Sequence, residues 1–225
     1  MSAIHIVRMT DDTPTLLHMG LIPDGNRRWS RANGVPFDGV TQLSSQLTDL
    51  FVGGSWKLHE SLRSRVKEVT IYVMSRDNVS KRNDGTCRMI LDLLSVLRDL
   101  LVNVPSVASS VRFRFVGERE LLSVETRRVC EDIERLSTGD FSVTMGLAYD
   151  PVLDSQRVLS GSVPRRTDID LVLRSGGEHR SSGFFPMQTL YSEWVYNDKM
   201  FPDITLFDVE HAIAEFDRRQ RRFGA

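Results

Sequence analysis

Apolar residues along this chain fall into two alternating kinds of run. Dense, β-branched or uninterrupted runs occur at residues 16–22, 66–74, 111–116, 141–147 and 168–173, and each predicts a strand. Between them, apolar positions recur at helical spacing. Val40, Leu43, Leu47, Leu50 and Phe51 form one such face, stopped by Gly53-Gly54, and residues 56–65 predict a second short helical piece. Met89, Ile90, Leu93, Leu94, Leu97, Leu100 and Leu101 give a broader face, which suits either plain core or the wall of an apolar pocket. Residues 121–136 predict another helix. Thr205 with Asp208 predicts a capping box opening a last amphipathic helix through Phe207, Val209, Ile213 and Phe216.

Strands alternating with helices predict an α/β domain, with a mainly parallel central sheet surrounded by helices. Ligands of such sheets bind beyond the carboxyl ends of the strands. Asp24, Asn78 and Arg174 fall at three such ends, so they can converge from distant parts of the chain. Residues 1–14 read as a loose N-terminal extension and residues 15–225 as a single domain.

Composition narrows the partners. The chain has 225 residues, 40% hydrophobic and 26% charged, with a formal net charge of -1. A near-neutral chain has no global field for nucleic acid, so any anion site must be local. No apolar run is long enough to span a membrane, and a cytoplasmic protein is expected. Cys87 and Cys130 lack metal-ligand spacing and are expected to be buried thiols.

Two stretches carry candidate chemistry. In HMGLIPDGNRRW an apolar strand stops at Pro23 and a helix opens after it. Such a junction favours an anion. Asp24 can hold a divalent cation, and Arg27 and Arg28 add fixed positive charge. Pro-Asp-Gly-Asn equally suits an ordinary surface turn. The second stretch, DLVLRSGGEHRSSGFF, weighs against that plainer reading. Arg174 and Arg180 flank a glycine-rich turn that allows close backbone approach to a ligand, and Ser182 adds a neutral donor. Together these make a phosphate clamp. There is no GxGxxG or GxxxxGK[ST] run, which disfavours a nucleotide module.

These stretches, with TIYVMSRDN, YSEWVYNDKMFPD and the C-terminal RRFG, resemble the ordered motifs of the cis-prenyltransferase, or undecaprenyl diphosphate synthase, family. The resemblance implies a parallel sheet around an apolar tunnel, allylic diphosphate substrates and Mg2+. It implies that Asp24 holds the metal on the donor diphosphate, with Glu193 helping to place it. Gly25, Asn26, Arg27, Arg28 and Trp29 would line the donor side, with Ser75 and Asn78 near the reacting centre. Arg174, Arg180 and Ser182 would bind the second diphosphate. A homodimer is also implied, with Arg222-Phe223-Gly224 near the neighbour's site.

The departures are specific. Arg27 stands where the family usually has Gly, and the stretch after Pro36 lacks the usual Arg and His. Ser75-Arg76-Asp77-Asn78-Val79 replaces a Ser-Glu-Asn-Trp motif. Ala148-Tyr149-Asp150-Pro151 replaces an Asn-Tyr-Gly-Gly-Arg type, and one helix is expected to be largely missing before Asp168. This pattern resembles the small branch making lavandulyl-type branched diphosphates by head-to-middle condensation of dimethylallyl diphosphate with dimethylallyl or geranyl diphosphate. The first rival is a regular short-chain synthase using isopentenyl diphosphate. A non-catalytic partner subunit is a second rival, disfavoured because Asp24 is present.

Overall fold

The computed structural model describes residues 16–35, 62–81 and 86–220. Six strands form one sheet: β1 (Leu17–Ile22), β2 (Val66–Ser75), β3 (Val111–Val116), β4 (Phe141–Tyr149), β5 (Leu171–Arg174) and β6 (Glu193–Tyr196). Their spatial order is β3-β4-β2-β1-β5-β6, and every pairing is parallel. Parallel strands need crossovers, and helices lie in those between β1 and β5: α1 (Asn26–Ala32), α2 (Arg76–Lys81), α3 (Thr86–Asn103), α4 (Pro105–Ala108), α5 (Val124–Leu136) and α6 (Pro151–Leu159). The β5–β6 connection, residues 175–192, carries no helix, and α7 (Leu206–Arg218) follows β6.

Five strands lie where periodicity puts them. Central β1 is buried at all six positions, whereas edge strand β3 alternates, with Arg112 and Arg114 outward. Alternate residues of β5 serve different cores. Leu171 and Leu173 join the main cluster with Leu93, Leu94 and Ile133, while Val172 packs with Ile22, Tyr149, Phe184 and Phe185. The capping box at Thr205 is present, with the Asp208 carboxylate accepting from Thr205 N at 2.8 Å.

Several expectations change. Edge strand β6 was not predicted; its residues, Glu-Trp-Val-Tyr, open on a charge and make no dense apolar run, and only Val195 is buried. The predicted helix over 121–136 starts at Val124, because Ser123 caps it by accepting from Thr126 N. Helix α6 occupies part of the segment expected to lack one. Asp150 caps it and Pro151 takes its first turn, a start signal in the sequence itself. Cys130 is buried, but Cys87 is exposed. The predicted extension at 1–14, the helix through Val40–Phe51, most of the 56–65 piece and the C-terminal Arg222-Phe223-Gly224 lie outside the described residues.

Candidate active site

The carboxyl ends of β1, β2, β4 and β5 open into one cleft of about 830 Å3, within the ~300–1,000 Å3 usual for small-molecule sites. Among the described residues, six arginines line it against three aspartates, so a near-neutral chain concentrates positive charge at one place. Ile22, Met74, Met89 and Ile90 form its apolar part. Only the first turns of α3 reach the cleft. Leu93, Leu94, Leu97 and Leu101 are core, so most of that broad face packs rather than lines a tunnel.

The two sequence stretches meet directly. Arg174, 3% exposed at the end of β5, donates from Nη2 to Asp24 Oδ2 at 2.8 Å. Its Nη1 donates to Ser182 Oγ at 2.8 Å and to the Arg180 carbonyl. Ser182 holds a left-handed backbone, φ 49°, and Arg174 fixes its hydroxyl there. Ser175 joins the strands: its Oγ donates to Asp24 O at 2.9 Å and accepts from Asp24 N at 3.0 Å.

Gly25 and Gly176 make this junction possible. Gly25 has φ 97°, and a Cβ there would lie 2.9 Å from Met200 Cβ. Gly176 has φ 86°, and a Cβ would fall 2.8 Å from Arg28 Nη2. The close approach expected of the second glycine turn is therefore made to Arg28, which donates to Gly176 O at 2.8 Å. Asn26 Nδ2 closes the first turn on Pro23 O at 2.7 Å. Arg27 and Arg28 both line the cleft, joined by Arg31 one turn later.

Across the cleft, Ser75 Oγ accepts from Asn78 N at 3.3 Å, fixing the corner between β2 and α2. Two of the departures from the family motifs pair here. Arg76 Nη1 donates to Asp150 Oδ2 at 2.8 Å. Arg76, then the amides of α6, hold the Asp150 carboxyl below its ordinary range. Beneath them, the Tyr72 and Tyr149 rings pack edge to face at 5.9 Å. Tyr149 donates to Asp154 Oδ2 at 2.8 Å, and burial pushes its phenol strongly up. Burial, then the Asp150 and Asp77 charges, push Tyr72 to about 12. Tyr72 lines the cleft and stays protonated at neutral pH, a hydrogen-bond donor rather than a base.

Two predicted site residues are not brought in. Glu193 starts β6 opposite Leu171, whereas Arg174 pairs with Tyr196 at the other end. Because the strands are parallel, Glu193 sits at the amino end of the sheet, where it accepts from Arg219 Nη1 at 2.9 Å. Trp29 donates to Asp203 Oδ1 at 2.8 Å and does not line the cleft. It pins the 201–203 turn instead. Sequence reading passed over Tyr72, Arg31 and Glu178. Glu178 carried a signal, as the one acid between Arg174 and Arg180.

Among the described residues, no three His, Cys, Asp or Glu side chains cluster as a metal cage. Magnesium does not require one, since it commonly takes one or two carboxylates and completes its shell with phosphate oxygens and water. Asp24, 34% exposed at the cleft, fits that role. No helix among the described residues is long and apolar enough to cross a membrane.

A profile of the family described as "Putative undecaprenyl diphosphate synthase" matches residues 22–154 and 152–224. A tritrans,polycis-undecaprenyl-diphosphate synthase (geranylgeranyl-diphosphate specific) of Pyrobaculum aerophilum is 31% identical, covering 92% of this chain and 95% of its own. The enzyme of that name from Aeropyrum pernix is 30% identical, covering 92% and 97%. Lavandulyl diphosphate synthase from Lavandula x intermedia, solved in complex with dimethylallyl diphosphate, superposes with a TM-score of 0.73 at 22% identity, over 95% of this chain and 99% of that one. A probable undecaprenyl diphosphate synthase from Campylobacter jejuni gives 0.67 at 21% identity, over 94% and 99%. At these identities the two structures speak for the fold alone.

Proposed function

The chain belongs to the cis-prenyltransferase family and is a cis-prenyl diphosphate synthase; from that premise we propose that it condenses two short allylic diphosphates head-to-middle. One partner is dimethylallyl diphosphate, the other dimethylallyl or geranyl diphosphate, and the product is a branched, lavandulyl-type diphosphate. The observation that carries this reading is the asymmetry of the cleft. The Arg174–Ser182–Arg180 clamp and its tie to Asp24 are complete. Meanwhile the opposite corner is rebuilt around the Arg76–Asp150 pair, and the stretch after Pro36 offers neither Arg nor His. A specific observation also favours the regular reaction: the archaeal relatives are named as polycis synthases.

The residues divide the work. Arg27, Arg28 and Asp24 face the donor diphosphate, and Arg174, Arg180 and Ser182 hold the second. Asp24 would hold Mg2+, which would supply positive charge against the departing diphosphate. Arg28, already aimed into the cleft, adds fixed positive charge beside it. Ile22, Met74, Met89 and Ile90 shield the allylic cation from water. The clamp presents the internal alkene carbon of the second substrate to C1 of that cation; the new C–C bond leaves a tertiary cation, which loses a methyl proton to a basic oxygen such as that of the released diphosphate. Fixing both partners removes much of the entropic barrier. We also read the working form as a homodimer. Edge strand β6 and the exposed Leu190 and Tyr191 before it suit a second copy, checked by light scattering.

The test is product formation from dimethylallyl diphosphate alone, then with geranyl diphosphate, then with isopentenyl diphosphate. Branched product in the first two arms supports the proposal. Product only in the third replaces it with the regular reaction.

A further inference from the structure

The charged groups of the two half-sites form one chain, which a backbone contact closes. Arg174 meets Asp24 Oδ2 at 2.8 Å, and Asp24 Oδ1 lies 3.6 Å from Arg28 Nη2. Arg28 Nη1 lies 3.5 Å from Glu178 Oε1, and Glu178 Oε2 accepts from Arg180 Nη1 at 2.6 Å. That backbone contact is Arg174 donating to the Arg180 carbonyl. Glu178 is the member with no role so far. One of its oxygens faces the donor-side arginine and the other the clamp arginine.

We propose that Glu178 is a positioning residue that stands in for diphosphate when the cleft is free. Its two oxygens take the places of phosphate oxygens on Arg28 and Arg180, and it returns to them as pyrophosphate leaves. This deepens the prenyl-transfer reading and rests on it.

The burial pattern supports the assignment. Arg174 is 3% exposed and three bonds lock it, so it needs no further help. Arg28 and Arg180 are 44% and 62% exposed, with long side chains that would otherwise sample many rotamers. A carboxylate between them, 3.5 Å from Arg28 and 2.6 Å from Arg180, restrains both. Pairs this exposed are weak, so a multiply charged diphosphate displaces Glu178 readily. The same weakness lets Glu178 compete for the arginines when the product departs. Asp24 cannot take this part, because its Oδ2 is committed to Arg174.

Glu178→Gln keeps the shape and removes the charge. Its two arginines then lose their competitor, so inorganic pyrophosphate should bind about two- to fivefold more tightly than to wild type, the range of an exposed pair. In turnover, kcat and the KM for the second substrate should fall together, because slower product release lowers both. A merely structural role would raise KM and lower Tm instead. Glu178→Asp, whose shorter arm spans one arginine but not both, should bind pyrophosphate with intermediate affinity. It covers the case in which the Gln variant does not fold. The measurements are calorimetric pyrophosphate binding and steady-state kinetics on the full chain. Unchanged or weaker pyrophosphate binding by the folded variants overturns the inference and leaves the prenyl-transfer reading standing. A wild-type chain that neither binds pyrophosphate nor releases it from an allylic diphosphate overturns both.

Discussion

Replacing Arg174 by lysine separates charge from geometry at the junction of the two half-sites. Arg174 spans three partners at once: Asp24 Oδ2 and Ser182 Oγ, each at 2.8 Å, and the Arg180 carbonyl. A lysine keeps the positive charge but brings one compact ammonium instead of a planar fork, so it cannot reach both sides together. At least one charge-assisted bond is lost, ordinarily about 1.5–3 kcal/mol. Asp24 is 34% exposed, so water recovers part of that, and the stability cost should fall to about 1–2 kcal/mol. Catalysis should suffer more. Ser182 and the Arg180 backbone lose the group that sets them, and removing one preorganised donor costs about 100- to 1,000-fold in kcat. The assay is pyrophosphate release at saturating dimethylallyl diphosphate, with thermal melts of both proteins. A kcat within about fivefold of wild type would refute the reasoning, because the fork would then be irrelevant to alignment. So would a Tm loss large enough to account for the activity loss by unfolding alone.

Two further perturbations follow from other parts of the molecule. Asp150 both pairs with Arg76 and caps α6 through Val152 N at 2.9 Å and Leu153 N at 3.1 Å. Asp150→Asn keeps a capping oxygen while Asp150→Ala removes it, so the alanine variant should be less stable by about 1 kcal/mol in urea unfolding; equal stabilities would reject the cap. Burial depresses the His18 pKa despite the opposing pull of Glu68, so the unfolded chain takes up the proton more readily. Stability from neutral His18 is complete above its unfolded value of about 6.5 and is lost as pH falls through the lower folded value. Tm should therefore fall more steeply between pH 7 and 5 in wild type than in His18→Gln, and parallel curves would exclude this residue as the cause.

The sequence made the sheet legible because burial and β-branching coincide in its longer strands. β1, β2, β3 and β4 each carry six or more residues with a clear apolar pattern. β6 does not. Its residues, Glu-Trp-Val-Tyr, open on a charge and make no dense apolar run, and its partner β5 decides its conformation. The same tertiary control explains Glu193. The resemblance implies that it helps to place the metal on Asp24, but the direction of a parallel strand sends it to the amino end, where it pairs with Arg219. Trp29 was drawn aside by a partner 174 residues away, which no local pattern announces.

The sequence allowed its two anion motifs to converge, but not the direct bond between them. Each motif alone supplies arginines and a glycine turn, and each alone could be a surface loop. Their union depends on β1 and β5 being neighbours, paired from Met19–Leu171 to Ile22–Arg174. That register sets Asp24 against Arg174 and Arg28 against Gly176. It follows that Asp24 and the Arg174–Ser182–Arg180 cluster are mechanically tied. On the proposed reading, a cation held by Asp24 would compete with Arg174 for the same carboxylate, so filling one half of the site would change the charge presented by the other. The coupling is built into the pairing of two adjacent strands, and Arg174, which touches both halves, is where it is strongest.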